Sequence, residues 1–204
     1  MTNQERIKAR SDTVNYIISN HLEGVFVECG VWKGGSILAI IRVLLSKNVT
    51  NIDINLFDTF KGISKPTEYD IDINGDYAQD RLQKESTDSW VHAKSALEEV
   101  KHNISKLNYS QQYIHYIKGK VEDTLPSHKP DKIALLRLDT DWYESTKIEL
   151  NELYDNVVTG GIIIIDDYAH WQGCRKAVDE FIQQRDERIF LSRIDYTGRL
   201  IVKP

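Results

Sequence analysis

The strongest constraint on the fold is an alternation of short apolar runs with amphipathic segments along the 204-residue chain. This alternation is typical of βαβ units, which build a parallel sheet covered by helices on both faces. Five runs predict strands of that sheet, and two more near the end of the sequence predict an antiparallel pair that turns at Thr197-Gly198. The seven predicted strands span residues 25–29, 54–57, 113–117, 132–138, 162–165, 188–194 and 200–203.

The segments between these strands predict helices over residues 36–46, 90–107 and 144–154. One face of a further helix is formed by Cys174, Ala177, Val178, Phe181 and Ile182. Thr159-Gly160-Gly161 predicts a turn before the fifth strand, and Val121–His128, which contains Pro126, predicts a loop or short turn. The polar segment 62–88 has no clear period, so we expect a long loop that acts as a lid within a single domain, residues 1–204.

Composition and charge exclude several classes of partner. The chain carries 31 acidic and 26 basic residues, so a broad basic surface for nucleic acid is not expected. Residues 37–45 form the longest apolar stretch and contain Arg42, which is too short for a membrane span, and residues 1–10 do not resemble a signal peptide. Two cysteines cannot form a disulfide framework, which favours a reducing, cytoplasmic compartment.

Three glycines, Gly30, Gly34 and Gly35, lie between the first strand and the helix that follows it. Glycine lets a backbone turn sharply close to a ligand, and a helix N-terminus such as the one at Ser36 offers free N–H groups to an anion. The spacing differs from the dinucleotide-binding Gly-x-Gly-x-x-Gly pattern. A tight connection without a ligand is the simpler alternative, but the carboxylate of Glu28 at the end of an apolar strand predicts a cationic ligand group nearby.

The residues after the second and third strands are candidates for nucleoside binding. Asp58 follows the second strand, where an acid accepts hydrogen bonds from ribose hydroxyls, although a loop or helix-cap aspartate is also compatible. Val121 follows the third strand in the sequence Lys118-Gly119-Lys120-Val121, which offers an apolar edge to an adenine or forms a solvated turn.

Four aspartates follow two buried strands: Asp139 and Asp141 after the fourth, and Asp166 and Asp167 after the fifth. Carboxylates this close repel, so the cluster needs a cation or shared protons, and oxygen ligands favour Mg²⁺. Helix capping is the alternative for some of them. If the chain stays extended from Asp139 to Asp141, both side chains point to the same side. His170 follows three residues after Asp167 and is a candidate for the pocket wall.

Together these motifs resemble the macrocin O-methyltransferase family. The resemblance runs from about residue 25 to about residue 181. The motifs that carry it are VECGVWKGGS (27–36), FDTFKG (57–62), DTLP (123–126), LDTDWYEST (138–146) and DDY (166–168). It implies a Rossmann-like class I methyltransferase fold: a mostly parallel seven-stranded sheet with helices on both faces and an antiparallel C-terminal strand.

The resemblance also implies an activity and the residues that serve it. Family members use S-adenosylmethionine and Mg²⁺ to methylate hydroxyls of sugars on glycosylated small molecules. The implied cofactor-binding residues are Glu28, Gly30, Gly34, Gly35, Ser36, Asp58 and Val121. Asp139, Asp166 and Asp167 would bind the metal, and Asp141 would be the general base. The expected partner is a sugar or glycoside acceptor, and a homo-oligomer is left open.

Two departures from the family pattern concern the acceptor. The sequence before the first strand is short, and Trp142 stands where a smaller aliphatic residue is usual. Two other functions stay open at this point: a metal-dependent nucleotide-sugar glycosyltransferase, because Leu138-Asp139-Thr140-Asp141 resembles that metal motif, and a non-catalytic nucleoside-binding protein of the same fold. The glycine spacing disfavours an NAD-dependent dehydrogenase.

Overall fold

A computed structural model describes residues 4–86 and 89–204. Its strands are β1 (Val25–Cys29), β2 (Ile54–Asp58), β3 (Ile114–Lys118), β4 (Ile133–Leu138), β5 (Val157–Ile165), β6 (Ser192–Arg193) and β7 (Arg199–Val202). They form one seven-stranded sheet in the order β3-β2-β1-β4-β5-β7-β6. The first five strands are parallel, while β7 runs antiparallel to β5 and β6. The predicted fold class is confirmed.

The described residues form seven α-helices around the sheet. They are α1 (Gln4–Ser19), α2 (Gly35–Ser46), α3 (Ala78–Lys84), α4 (Leu97–Ser105), α5 (Val121–His128), α6 (Tyr143–Leu153) and α7 (Gln172–Gln183). The sheet separates two apolar cores. One core packs α1, α2 and α4 on its face, and the other packs α5, α6 and α7 on the opposite face. Because both faces are covered, every residue of β4 is buried, which explains its nearly continuous apolar sequence.

The segment Val121–His128 is a helix, so the predicted loop is wrong there. Buried Val121 and Leu125 hold α5 against the core, and Glu122 and Asp123 in its first turn suit the positive end of the helix dipole. These contacts outweigh the hydrogen bond that Pro126 removes within the helix.

Predicted boundaries are also wrong at three other places. The strand expected over residues 188–194 is only Ser192–Arg193. The region 90–107 does not form one helix: Trp90–His92 is a single 3-10 turn, the chain extends through Ala96, and α4 begins only at Leu97. The predicted turn at residues 159–161 lies inside β5. Gly160 has φ 79° and donates its N–H to the carbonyl of Lys203, so the glycines produce an irregular strand and not a reversal.

The segment 62–88, predicted to be a long lid loop, is described up to residue 86; Thr87 and Asp88 lie outside the described residues. It contains the short helix α3 and isolated strand-like pairs between Ile71 and Tyr77 and between Asp72 and Trp171. Asp70 and Asp72 are buried. The segment is therefore attached to the body of the protein at several points, and its movement as a lid stays a prediction.

Helix α1 has no counterpart among the predicted elements. Its polar sequence shows little apolar periodicity, yet Val14 and Ile17 are buried against the sheet and Arg10 is 2% exposed. Across the described part of the chain, none of the helices combines the length and apolarity that crossing a bilayer requires.

Candidate active site

The candidate site is a cavity at the carboxyl ends of the parallel strands, where the strand order reverses between β1 and β4. Open parallel sheets bind ligands at this position. The predicted site residues that line the cavity are Gly30, Gly35, Ser36, Asp58, Val121, Asp139, Asp141, Asp166 and Asp167. Of the predicted set, Glu28 and Gly34 do not line it.

The glycine turn after β1 is shaped by two close approaches. Gly30 has φ 82°, and a Cβ at this position would overlap the backbone carbonyl of Asp139. Gly34 has φ 80° at the N-cap position of α2, where a Cβ would lie in contact with Val100 and Ile37. Among the described residues, no side chain caps this helix. Only glycine fits the first position, because the chain must touch the neighbouring strand end.

Asp58 holds the glycine turn in place. Its Oδ2 accepts hydrogen bonds from the backbone N–H groups of Val31, 2.7 Å away, and Trp32, 3.0 Å away. Its Oδ1 accepts a third from the N–H of Phe60 at 2.7 Å. The carboxylate therefore orders the two loops beside the cavity whether or not a ribose is present, which is the loop role that the sequence left open.

Glu28 has a different partner from the one that the sequence predicted. Its Oε1 accepts a hydrogen bond from Arg137 at 2.8 Å, and both side chains are 2% exposed. Arg137 of the neighbouring strand therefore supplies a positive charge to Oε1, while Oε2 of Glu28 is buried without a hydrogen-bond partner among the described residues. Binding of a ligand cation by Glu28 stays a prediction. Glu28 acts beneath the cavity and not in its wall.

Three arginines converge on Asp166. Its Oδ2 lies 2.8 Å from Nη1 of Arg6 and 2.9 Å from Nη2 of Arg137, and its Oδ1 lies 3.4 Å from Nη2 of Arg10. Burial alone would raise the pKa of Asp166, but Arg137, Arg10 and Arg6 lower it to about 2. Nη2 of Arg137 also binds Oδ2 of Asp139 at 2.7 Å. The acids therefore have internal cations as neighbours, which the sequence analysis did not predict.

Oxygen atoms of Asp139, Asp166 and Asp167 lie within 4.8 Å of one another. Oδ2 of Asp167 is buried and has no hydrogen-bond partner in the described structure. Burial and the charges of Asp141 and Asp166 raise the pKa of Asp167. Hard oxygen donors and an unpartnered buried oxygen together suit a divalent cation such as Mg²⁺.

Asp141 lies opposite Asp167 in the same cluster. Burial raises the pKa of Asp141 to about 7, with contributions from the charges of Asp139 and Asp166, although a hydrogen bond from Asp167 opposes the shift. Asp141 has φ 68°, and Trp142 donates its N–H to the carbonyl of Thr140 at 2.8 Å. The chain therefore turns at Asp141, and the extended geometry expected from Asp139 to Asp141 is wrong.

Helix α6, which follows Asp141, is capped from a distant segment. The N–H of Tyr143 donates to Oδ1 of Asp70 at 2.8 Å, and Oδ2 of Asp70 accepts from the N–H of Thr67 at 2.6 Å. Asp70 therefore caps the N-terminus of α6, and the sequence analysis did not single out this residue.

His170 lies outside the cavity wall. Its Nδ1 is 3.4 Å from the hydroxyl of Tyr196, and its ring packs edge-on against Trp171. Burial lowers the pKa of His170. Cys29 and Cys174 are both buried, and burial raises the pKa of each thiol.

Sequence reasoning missed four residues that shape the site: Arg6, Arg10, Arg137 and Glu149. Arg6 and Arg10 are four residues apart on α1, a spacing that places both on one helix face. Arg137 is a charged residue inside a predicted apolar strand, and that contrast was a usable signal. Glu149 is likewise a charged residue on the buried side of α6.

Residues 1–203 match the Macrocin-O-methyltransferase (TylF) family. The chain is 34% identical over 194 residues to the demethyldecarbamoylnovobiocin O-methyltransferase of Streptomyces niveus, covering 95% of this chain and 71% of that protein. It is 31% identical over 199 residues to the 8-demethyl-8-(2,3-dimethoxy-alpha-L-rhamnosyl)-tetracenomycin-C 4'-O-methyltransferase of Streptomyces olivaceus, covering 97% and 73%.

The fold also matches a solved relative. The structure of the O-methyltransferase NovP superposes with a TM-score of 0.83 at 33% identity, covering 98% of this chain and 79% of that one. Methyl transfer is therefore favoured over glycosyl transfer and over non-catalytic nucleoside binding, and a methyltransferase family implies S-adenosylmethionine as the methyl donor. The chain is an O-methyltransferase and belongs to the macrocin O-methyltransferase family.

Proposed function

We propose that this enzyme transfers a methyl group from S-adenosylmethionine to a hydroxyl of a sugar or glycosylated small molecule, with Asp141 as general base. The observation that carries the proposal is that one cavity joins the glycine turn to four aspartates. The relative from Streptomyces olivaceus is named for 4'-O-methylation of a rhamnosyl compound, which supports a sugar hydroxyl as the acceptor.

The cofactor end of the cavity has groups suited to each part of the donor. No side chain in the described part of the chain caps the N-terminus of α2. The first amides of this 12-residue helix, at Gly35 and Ser36, therefore suit the carboxylate of the methionine part. Asp58 lines the same wall and suits the ribose hydroxyls. Val121 offers an apolar edge to the adenine.

The aspartates at the strand ends fit Mg²⁺ for two reasons. They offer hard oxygen donors, and Oδ2 of Asp167 is buried without a hydrogen-bond partner in the described structure. Asp139, Asp166 and Asp167 would hold the ion. When bound, Mg²⁺ would lower the pKa of the acceptor hydroxyl. Arg137 and Arg6 keep the second oxygens of Asp139 and Asp166 in fixed directions, so these carboxylates are oriented before any ligand arrives.

The reaction requires a base beside the acceptor. The acceptor oxygen forms a bond to the methyl carbon while the carbon–sulfur bond of the donor breaks, and the sulfonium becomes a thioether. The hydroxyl proton passes to the carboxylate of Asp141, which the turn at φ 68° separates from Asp139. Asp139 can then serve the metal while Asp141 serves the proton.

Calorimetry with four ligands tests the donor. We expect S-adenosylmethionine and S-adenosylhomocysteine to bind, and UDP-sugars and NAD to give no signal. Preferential binding of a UDP-sugar would contradict the proposal, and so would saturation by NAD.

Chelation tests the metal. With demethylated glycosides as acceptors, we expect EDTA to abolish methyl transfer and added Mg²⁺ to restore it. Full turnover in EDTA would overturn the metal assignment, and preference for Zn²⁺ would also contradict it, because Asp139, Asp166 and Asp167 supply oxygen donors only.

A further inference from the structure

Glu149 is a fully buried acid that the proposed chemistry does not use. It is the seventh residue of α6, it is buried, and its carboxyl contacts Thr140, which follows β4. Its Oε1 accepts a hydrogen bond from the hydroxyl of Thr140 at 2.9 Å, while its Oε2 has no hydrogen-bond partner in the described structure. An acid in such a place costs stability, since an apolar side chain of similar size would fill it without losing hydration.

The partner of Glu149 lies in the middle of the acid cluster. Thr140 stands between Asp139 and Asp141 and lines the cavity. The thiol of Cys29, the last residue of β1, lies on another side of Glu149: burial raises its pKa most, and the charge of Glu149 raises it further. Glu149 therefore lies beneath both the end of the strand that leads into the glycine turn and the acid segment.

These two segments touch each other directly above Glu149. The N–H of Asp139 donates to the carbonyl of Cys29 at 2.9 Å, and Gly30 leaves no room for a Cβ against the carbonyl of Asp139. A small displacement of Thr140 would therefore change the distance between the methyl donor and the acids. Misplacement of reacting groups by about 1 Å can cost about 10²-fold in rate.

We propose that Glu149 is a positioning residue: its carboxyl holds Thr140, and with it the segment from Asp139 to Asp141, in register with the glycine turn. The predicted effect on kcat rests on the proposed methyl transfer. The predicted shift of the segment from Asp139 to Asp141 rests on the contacts alone. Burial raises the pKa of Glu149 well above that of a free glutamate, so its neutral form suits this apolar place.

Paired substitutions separate positioning from simple stability. Glu149→Met removes the acceptor and keeps the length, and Glu149→Gln keeps a neutral acceptor for Thr140. Glu152→Met is the matched control, because Glu152 lies on the same helix and pairs with Lys129 at 2.8 Å. We expect Glu149→Met to keep or raise Tm, to lower kcat by about 10- to 100-fold, and to leave S-adenosylhomocysteine binding within about twofold.

Glu149→Gln should recover kcat to within about threefold, and Glu152→Met should match the wild type. Thr140→Val should lower kcat like Glu149→Met, and the double variant should be no worse than either single one. Crystal structures give a readout that needs no acceptor: the segment 139–141 should shift in Glu149→Met and superpose on the wild type in Glu149→Gln.

An unshifted segment in Glu149→Met, wild-type kcat in that variant, or additive losses in the double variant would overturn the inference. Failure of the wild type to bind S-adenosylmethionine is a different result, and it would count against the proposed function. In that case the crystal structures still decide whether Glu149 holds the segment.

Discussion

Arg137 is the residue on which most of the charges of the site converge. It contacts Glu28, Asp139 and Asp166 at 2.7–2.9 Å and is 2% exposed. Glu28 and Asp166 come from two other strand ends, so no local pattern could have joined them to Arg137. The sequence showed a charge within an apolar strand, but only the fold shows which acids surround it.

We expect Arg137→Met to destabilise the protein by about 3–5 kcal/mol, because it leaves three buried or half-buried acids without their shared cation. Urea denaturation measures the change in the free energy of unfolding. Arg137→Lys keeps the charge but loses the planar guanidinium, so its free energy of unfolding should lie between those of the wild type and Arg137→Met. An Arg137→Met protein as stable as the wild type would show that the acids are neutralised in another way.

Asp141→Asn keeps the size of the side chain and removes the base. We expect turnover to fall by about 10²–10⁴-fold while the affinities for S-adenosylmethionine and Mg²⁺ stay nearly unchanged. Asp139→Asn should weaken Mg²⁺ binding instead. Titration calorimetry of both variants decides the division of roles: equal loss of metal binding would make Asp141 a ligand and not the base.

At the scale of elements, the cap of α6 can be tested in isolation from catalysis. Asp70→Ala removes the acceptor for the N–H of Tyr143 and for the N–H and hydroxyl of Thr67. We expect a loss of about 1–3 kcal/mol in the free energy of unfolding, because buried donors are left unpaired. Asp80→Ala, at an exposed position of α3, is the control and should change stability by less than about 0.5 kcal/mol.

Hydrogen exchange tests the lid. Because Asp70 and Asp72 are buried and Ala78 donates its N–H to the carbonyl of Asp70, we expect residues 70–78 to be protected before any ligand binds. Residues 62–69 reach the cavity wall at Gly62, Ile63 and Ser64, and their exchange should slow when cofactor and acceptor are both present. If residues 62–69 exchange at the same rate with and without ligands, the segment is not a lid.

Periodicity predicted the strands of the central sheet well because β1, β4 and β5 are buried on both faces. It failed where tertiary contacts override local signals. Pro126 suggested a break, yet two buried side chains make α5 a helix. Gly160 suggested a turn, yet it lies within β5 and donates its N–H to the carbonyl of Lys203. Helix α1 was not predicted because its polar sequence shows little apolar periodicity, although Val14 and Ile17 are buried in the core.

For the molecule as a whole, the candidate site depends on topology more than on any single motif. The predicted site residues came from five separate positions in the sequence, and nine of eleven line one cavity because parallel strands bring their carboxyl ends together. The two exceptions, Glu28 and Gly34, are buried beside residues that line it. The sequence could not show which partners four further residues have, because their contacts join segments that are distant in the chain. These residues are Arg6, Arg10, Arg137 and Glu149.

The bridge made by Arg6 has a consequence for how the protein acquires its site. Arg6 binds Asp166 and Asp195, which follow it by 160 and 189 residues. The ribosome therefore releases Arg6 long before either acid, and Arg6 can dock only after Asp166 and then Asp195 have emerged. Contacts of such long range form late in folding, after the entropy of closing a large loop has been overcome. Ordering of the acids should thus be among the last events in maturation, and the nascent enzyme stays inactive until its antiparallel edge has emerged.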